Sequence, residues 1–339
     1  MPSYAYRGNE ALISSIEGRL SDAGYVRQGE VEGADYVITF CTSMTALEDL
    51  YFDEGALVET LDPGTYVIDL SACTPNLATE IASVCTVSGL YMISAPLIVK
   101  NKVAKEALVQ SNLECFAGSE ANEVDKVLPL LEVIFGDVNV VADVGSAQLA
   151  RAASTIQNTA EMVSAIETLS LFKACSASAS SGVNVSALVP EATSPEASYI
   201  LNAVRDEQFS SNYTVEMLMS ELSAAIMTGD DYETILPQTE AAFHLYELLA
   251  MIGGSDMSPA ALALVYEGEP AGLGDDDGGS RVDSHGLDWS RVEHMYGNGV
   301  ADDVMDEFGT DDFSLDDASG DGDPYDDDDF ASGFGYYVN

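Results

Sequence analysis

The sequence predicts an α/β protein: a truncated parallel-sheet domain over residues 1–142, an all-helical domain over 143–268 and a disordered acidic tail over 269–339. Three observations carry that division. Short apolar runs alternate with amphipathic stretches as far as Val141, the pattern of strand and helix units feeding a parallel sheet. A run without Gly or Pro then extends from Ser146 to Ser181, and helical patterns follow it. From Ala271 the composition turns to Asp, Gly and Ser, which cannot bury a core.

The totals narrow the function classes. With 339 residues, 47% of them hydrophobic, the chain has material for two cores. A net charge of −46 with 12 Lys plus Arg excludes a surface for nucleic-acid phosphates and disfavours acidic lipid. No apolar run approaches the roughly 18 to 20 residues that span a bilayer, and MPSYAYRGNE lacks the pattern of a leader, so a cytoplasmic location is expected. Cys41, Cys73, Cys85, Cys115 and Cys175 are widely spaced with no C-x-x-C, which points to buried reduced thiols. The aspartates at 321–329 lack the Gly and Glu of an EF-hand, so no metal site is expected.

In order, Tyr4–Gly8 is a strand and Asn9–Ala23 a helix with Leu12, Ile16 and Leu20 on one face, closed by Gly24. The next segment, YVRQGEVEG, is too short for a strand, a turn and a three-turn helix at rises of about 3.3 and 1.5 Å per residue. Ala34–Cys41 (ADYVITFC) and Thr65–Asp69 are strands apolar on both faces, as a covered parallel sheet requires. Pro75 opens a helix, and Leu90–Ala95 is a further strand. Lys100, Lys102 and Lys105 follow, either as solubilising charges or as an anion-binding patch. Leu113–Gly118 and Val138–Val141 flank a helix at Glu120–Phe135. In the long run Leu149, Ala153, Ile156, Ala160, Val163 and Ile166 form a buried stripe, so this helix is the spine between two domains. A stub at Val185–Leu188 and helices at 196–206, 215–227 and 239–252 complete the folded part. His244 there suits a packed or surface residue better than a base. Leu287–Tyr296 in the tail has the pattern of one short helix.

Four short motifs share an order. Ala34–Cys41 is A-D-V-V-I-like; Asp69-Leu70-Ser71-Ala72-Cys73-Thr74-Pro75 resembles D-x-S-T-x-x-P with Ala72 at the Thr; Gly145 stands six residues before Arg151 and ten before Thr155; and Met217–Ile226 resembles an L-x-x-K-D-L helix with Ser220 at the Lys. Over about residues 4 to 266 the chain resembles the 3-hydroxyisobutyrate dehydrogenase (β-hydroxyacid dehydrogenase) family, relatives of 6-phosphogluconate dehydrogenase. The resemblance implies a Rossmann-like domain holding NAD(P) and a helical domain that pairs subunits. It places the cofactor at Gly8, Cys41, Thr42, Ser71 and Ala72, and the substrate carboxylate at Ile98, Val99 and Lys100. Position 151 corresponds to the family's acid/base Lys, 155 to its substrate-holding Asn and 220 to a second Lys.

The chemistry-bearing positions depart from that pattern. Arg151, Thr155 and Ser220 replace Lys, Asn and Lys, and Ile98-Val99-Lys100 replaces Ser-Gly-Gly. The glycines of G-x-G-x-x-G fall on Gly8, Glu10 and Ile13, which sets a carboxylate beside a pyrophosphate. Arg stays protonated at any working pH and cannot shuttle a proton. The expectation is an oxidoreductase relative with impaired catalysis, serving as a binding or dimerising subunit in a homodimer or a dimer with a paralogue. The alternatives are an active NAD(P)-dependent hydroxyacid oxidoreductase, and a sensor of a small anion in the interdomain cleft.

Overall fold

A computed structural model describes residues 1–53, 55–120, 123–178, 194–268 and 281–291. The apolar runs form β1 (Ser3–Gly8), β3 (Tyr36–Phe40), β4 (Tyr66–Asp69) and β5 (Tyr91–Ser94), which with β2 (Val26–Arg27) make a parallel sheet ordered β2-β1-β3-β4-β5. Their alternate residues feed two cores, with Val37 and Val67 on one face and Ile38 and Ile68 on the other. In register across β3, β4 and β5, Tyr36, Tyr66 and Tyr91 set their rings 6.0 and 5.0 Å apart, an aromatic row along the amino-terminal edge. A smaller sheet, β6 (Leu97–Val99), β7 (Leu113–Ala117) and β8 (Asp137–Val140), is joined to the first by a bridge between Ser94 and Gly118.

The helices start where local chemistry allows. Asn9 caps α1 (Glu10–Asp22), and Thr74 with Pro75 opens α4 (Pro75–Val87). Ser43 caps α2 (Met44–Phe52), which together with the single turn α3 (Leu57–Thr60) carries no periodic signal strong enough to predict it. α5 (Val124–Ile134) begins four residues after the expected Glu120. The long helix, α6 (Val144–Ser178), starts before Gly145 because Asp143 Oδ1 accepts the Ser146 N–H at 2.6 Å. At 1.5 Å per residue its 35 residues run about 50 Å. It packs on α4, β5 and β7 and also on α7 (Pro195–Arg205), α8 (Val215–Asp231), α9 (Pro237–Leu249) and α10 (Leu262–Glu267). Among the described residues from 194 to 268 there is no strand. One core cluster runs from Ile93, Val99 and Leu113 through Ile166 to Leu218, Leu222 and Tyr246, so the sheet and the helices share an interior.

Two expectations need correcting. The segment after Gly24 does keep a strand: β2 pairs Val26 and Arg27 with Ser3 and Tyr4, then turns back to β3 without a helix. The stretch beyond residue 269 is not uniformly unstructured. Residues 281–289 form a bridged turn, in which Leu287 and Trp289 are buried against the main core, and Ser290 and Arg291 are the described start of the expected helix. Asp283 organises it, its Oδ1 accepting the N–H groups of His285 (2.8 Å) and Leu287 (3.0 Å) and its Oδ2 the indole N–H of Trp289 (3.0 Å). The Asp288 N–H then reaches the Ile252 carbonyl at 2.7 Å. Composition pointed the wrong way because the acidic residue here serves a local backbone, not solvent. The stub at 185–188 and the expected helix beyond residue 291 lie outside the described residues.

Trp289 is the chain's one tryptophan, so its emission reports on this turn alone. Asp283→Ala removes an acceptor shared by three N–H groups, a loss of about 1 to 3 kcal/mol to a short segment. A red shift of the emission with an unchanged far-ultraviolet dichroism melt is expected. An unshifted spectrum would show that the turn does not depend on Asp283.

All five cysteines are free; Cys41, Cys73, Cys85 and Cys115 are buried as expected, whereas Cys175 is exposed. Among the described residues no single helix is long and apolar enough to cross a membrane, and no cluster of His, Cys, Asp or Glu is placed to hold a metal ion.

Candidate functional site

In an open parallel sheet the chain reverses its direction of growth between β1 and β3, and the crevice at that point is where such folds take ligands. Here the crevice is filled by the backbone. The Asn9 N–H donates to the Phe40 carbonyl at 2.8 Å, the Tyr6 hydroxyl donates to the Asn9 carbonyl at 2.5 Å, and Asn9 Oδ1 accepts the Ala11 N–H at 2.9 Å. Gly8 sits at φ +125°, and a Cβ there would lie 2.0 Å from the Phe40 oxygen. Glu10 occupies the first turn of α1, and Ile13 is fully buried. A pyrophosphate needs free amides and no facing carboxylate. The residues at this turn do not fit one. At the tip of β2, Arg27 pairs with Glu17 of α1 at 3.1 Å, and Glu30 and Glu32 follow, exposed, in the loop to β3.

The tips of β3 and β4 are likewise committed to each other. Ser71 Oγ donates to Asp69 Oδ1 at 2.6 Å and accepts the Cys41 N–H at 2.9 Å; Thr39 also donates to Asp69 Oδ1, at 2.8 Å. Gln148, one turn into α6, donates to the Ser71 carbonyl and to Ser94 Oγ and accepts the Cys73 N–H. Burial raises the Asp69 carboxyl above its ordinary range, against the opposing hydrogen bonds from Ser71 and Thr39. Cys41, Ser71 and Ala72 are buried, and Thr42 alone of that group opens to a cavity.

The second group lies where α6 faces α8. Arg151 and Thr155, one turn apart on α6, meet Glu221 of α8: Arg151 Nη2 donates to the Glu221 carbonyl at 3.1 Å, Nη1 stands 3.9 Å from Oε2, and Thr155 donates to Oε2 at 2.9 Å. Lys102, from the loop after β6, donates to the same Oε2 at 2.9 Å and to the Tyr213 hydroxyl at 3.1 Å. Tyr213 closes the circuit by donating to Oε1 at 2.8 Å, and the Lys102 ammonium lies 4.6 Å from the centre of its ring. Arg151 is 0% exposed, Lys102 3% and Glu221 6%. One carboxylate thus answers two cations in the interior, and the Arg151 Nε and Nη1 find no hydrogen-bond acceptor.

The electrostatics follow. Burial by itself would raise the Glu221 carboxyl, but Lys102 and Arg151 outweigh it and hold the group below its ordinary value. Burial pushes the Lys102 ammonium and the Arg151 guanidinium down, and Glu221 opposes both. Burial raises the Tyr213 phenol well above its ordinary value, with the Glu221 charge adding to it.

The sequence-predicted residues are therefore dispersed. Arg151 and Thr155 share Glu221; Thr42 and Ser220 share a cavity; Ile98 and Val99 lie in the core of β6. Lys100 pairs with Asp137 at the surface and Lys105 is exposed, so the three lysines form no common patch. Sequence reasoning missed Lys102, Tyr213 and Glu221 as a unit. The available signal was Glu221 itself, an acidic residue on the buried side of α8.

The cavity, about 470 Å³, lies between the start of α2 and the pair α8–α9. Thr42 Oγ1 donates across it to Glu216 Oε1 at 3.2 Å. Ser220 lines it, one residue from the buried Glu221, because successive helical residues point about 100° apart.

Residues 15–145 match the family model described as the NAD binding domain of 6-phosphogluconate dehydrogenase. The chain is 26% identical over 270 residues to an NAD-dependent L-serine dehydrogenase of Pseudomonas aeruginosa, covering 76% of this chain and 88% of that protein. It is 22% identical to a 2-(hydroxymethyl)glutarate dehydrogenase of Eubacterium barkeri, over 78% of this chain and 86% of the other. Its fold superposes on a 3-hydroxyisobutyrate dehydrogenase from Salmonella typhimurium with a TM-score of 0.60 at 15% identity, over 78% of this chain and all of that one.

Proposed function

We propose that the chain is a member of the β-hydroxyacid dehydrogenase family without hydride transfer, kept as a binding and dimerising subunit. The observation that carries this reading is Arg151, fully buried and tied to Glu221 at the position of the family's acid/base. A general acid or base must titrate near the working pH and reach the reacting atom. A guanidinium meets the first condition nowhere near neutrality, and one sealed between α6 and α8 does not meet the second. Lys102 does not stand in for it, because its ammonium is spent on Glu221 and Tyr213.

The β1–α1 turn supports the same reading. A charge-assisted hydrogen bond to a dinucleotide is worth about 1.5 to 3 kcal/mol, and this chain offers none at the pyrophosphate, where the Glu10 carboxylate adds repulsion. At about 1.4 kcal/mol per tenfold, a micromolar affinity falls toward millimolar. Calorimetric titration with NAD⁺, NADP⁺ and their reduced forms is expected to show no saturation below about 1 mM. No turnover of L-serine or 3-hydroxyisobutyrate is expected, and Arg151→Lys restores none. Saturation at micromolar cofactor, or turnover by either protein, overturns the proposal. Dimerisation rests on exposed apolar residues of the helical part, Leu171, Tyr199, Tyr232 and Ile235 among them, and light scattering on the same samples tests it.

A further inference from the structure

The cavity between α2 and α8–α9 has a chemistry of its own. Met219, Met227 and Phe243 supply one apolar wall, and Glu48 and Glu216 place two carboxylates at its border. Thr42, bonded to Glu216, fixes one of them in position. None of the lining residues is Lys, Arg or His. The volume, about 470 Å³, lies in the range of small-ligand sites. An anion entering it meets two carboxylates and no cation, within a chain of net charge −46. A cation gains from both. Its ammonium can donate charge-assisted hydrogen bonds to Glu216, while an attached ring packs on Phe243 and the methionine sulfurs.

We propose that this cavity binds a small organic amine carrying an aromatic or branched apolar body. The cavity includes Thr42 and Ser220, the family's cofactor and second-Lys positions, so the proposal rests on the reading of the previous subsection, and it is tested without cofactor.

The full-length protein is titrated by calorimetry with 2-phenylethylamine, 2-phenylethanol and phenylacetate, which share a shape and differ in charge. The amine is expected to bind, the alcohol roughly tenfold or more weakly, and the acid not at all. Glu216→Gln and Glu48→Gln should together weaken the amine roughly ten- to a hundredfold and leave the alcohol unchanged. Both glutamates are exposed, so the variants are expected to melt as the parent does. Equal binding of amine and alcohol, preference for the acid, no binding of the amine, or an amine affinity indifferent to the double substitution each overturns the proposal. Saturation by NADPH at micromolar concentration overturns the reading of the previous subsection and this one with it, whereas failure of the amine to bind where NADPH also does not overturns this one alone.

Discussion

Glu221→Gln is expected to lower the melting temperature by roughly 6 to 20 °C, the largest effect of any single change at the candidate site. The substitution keeps the shape and removes the charge, leaving Lys102 and Arg151 buried without an anion. Breaking a buried pair from one side costs about 3 to 5 kcal/mol, and a body of this size shifts by about 2 to 4 °C per kcal/mol. The pH dependence has a defined sign. The Glu221 carboxyl is held below its ordinary value of 4.5, so its contribution is complete above that pH and is lost as pH falls through the lower, folded-state value. The parent and the variant should therefore converge in stability on acidification. Replacing all three members by Met removes the desolvation of the charges together with their attraction, and is expected to recover most of the loss. A Glu221→Gln protein melting within a degree or two of the parent would show that the network is not ionised as described.

Gly8→Ala is expected to cost about 2 to 5 kcal/mol, with or without NADPH present. The new Cβ would meet the Phe40 oxygen at 2.0 Å, an atom held in place by the pairing of β1 with β3 and by the Asn9 N–H. The backbone at φ +125° adds strain of its own for any side chain. Gly18→Ala supplies the contrast, since it lies on the exposed face of α1 with nothing within 4 Å of a Cβ, and should stabilise by up to about 1 kcal/mol. If Gly8 served a phosphate instead, Gly8→Ala would change ligand affinity and spare the melt. Paired melts separate the two outcomes.

How much of this could be seen in the sequence depends on the range of the interactions. ADYVITFC announces a strand buried on both faces within eight residues, and the run without Gly or Pro announces α6, because both signals are local. The stripe expected on α6 is out of phase, for Leu149 is 53% exposed and Arg151, Ala152, Thr155 and Met162 fill the buried face beside Ile166. β2 escapes because two residues carry no period; it exists only through its pairing with β1. The turn at 281–289 escapes because it is held by Asp283 bonding to the N–H groups of residues two to six positions on and by Leu287 and Trp289 packing against a distant core, neither of which has a period. At the candidate site the Gly145 frame pointed to the right turn of α6. It could not name the partner of Arg151, since Glu221 lies 70 positions on and no local pattern links them. Ser220 drew the attention that its neighbour warranted: the phase of α8 sends 220 to the cavity and 221 to the interior.

The bond from Lys102 to Glu221 also joins the loop after β6 to α8, with α6 passing rigidly beside both. To swing the helices away from the sheet, the ammonium and the carboxylate would have to separate inside a medium of low polarity, at the same cost as deleting one of them. The seam between sheet and helices is accordingly a weld and not a hinge. A molecule reaching the cavity therefore finds a mouth lined by the exposed Glu48, Glu216 and Met227 whose width that weld holds fixed, and the body around it should unfold in one cooperative step.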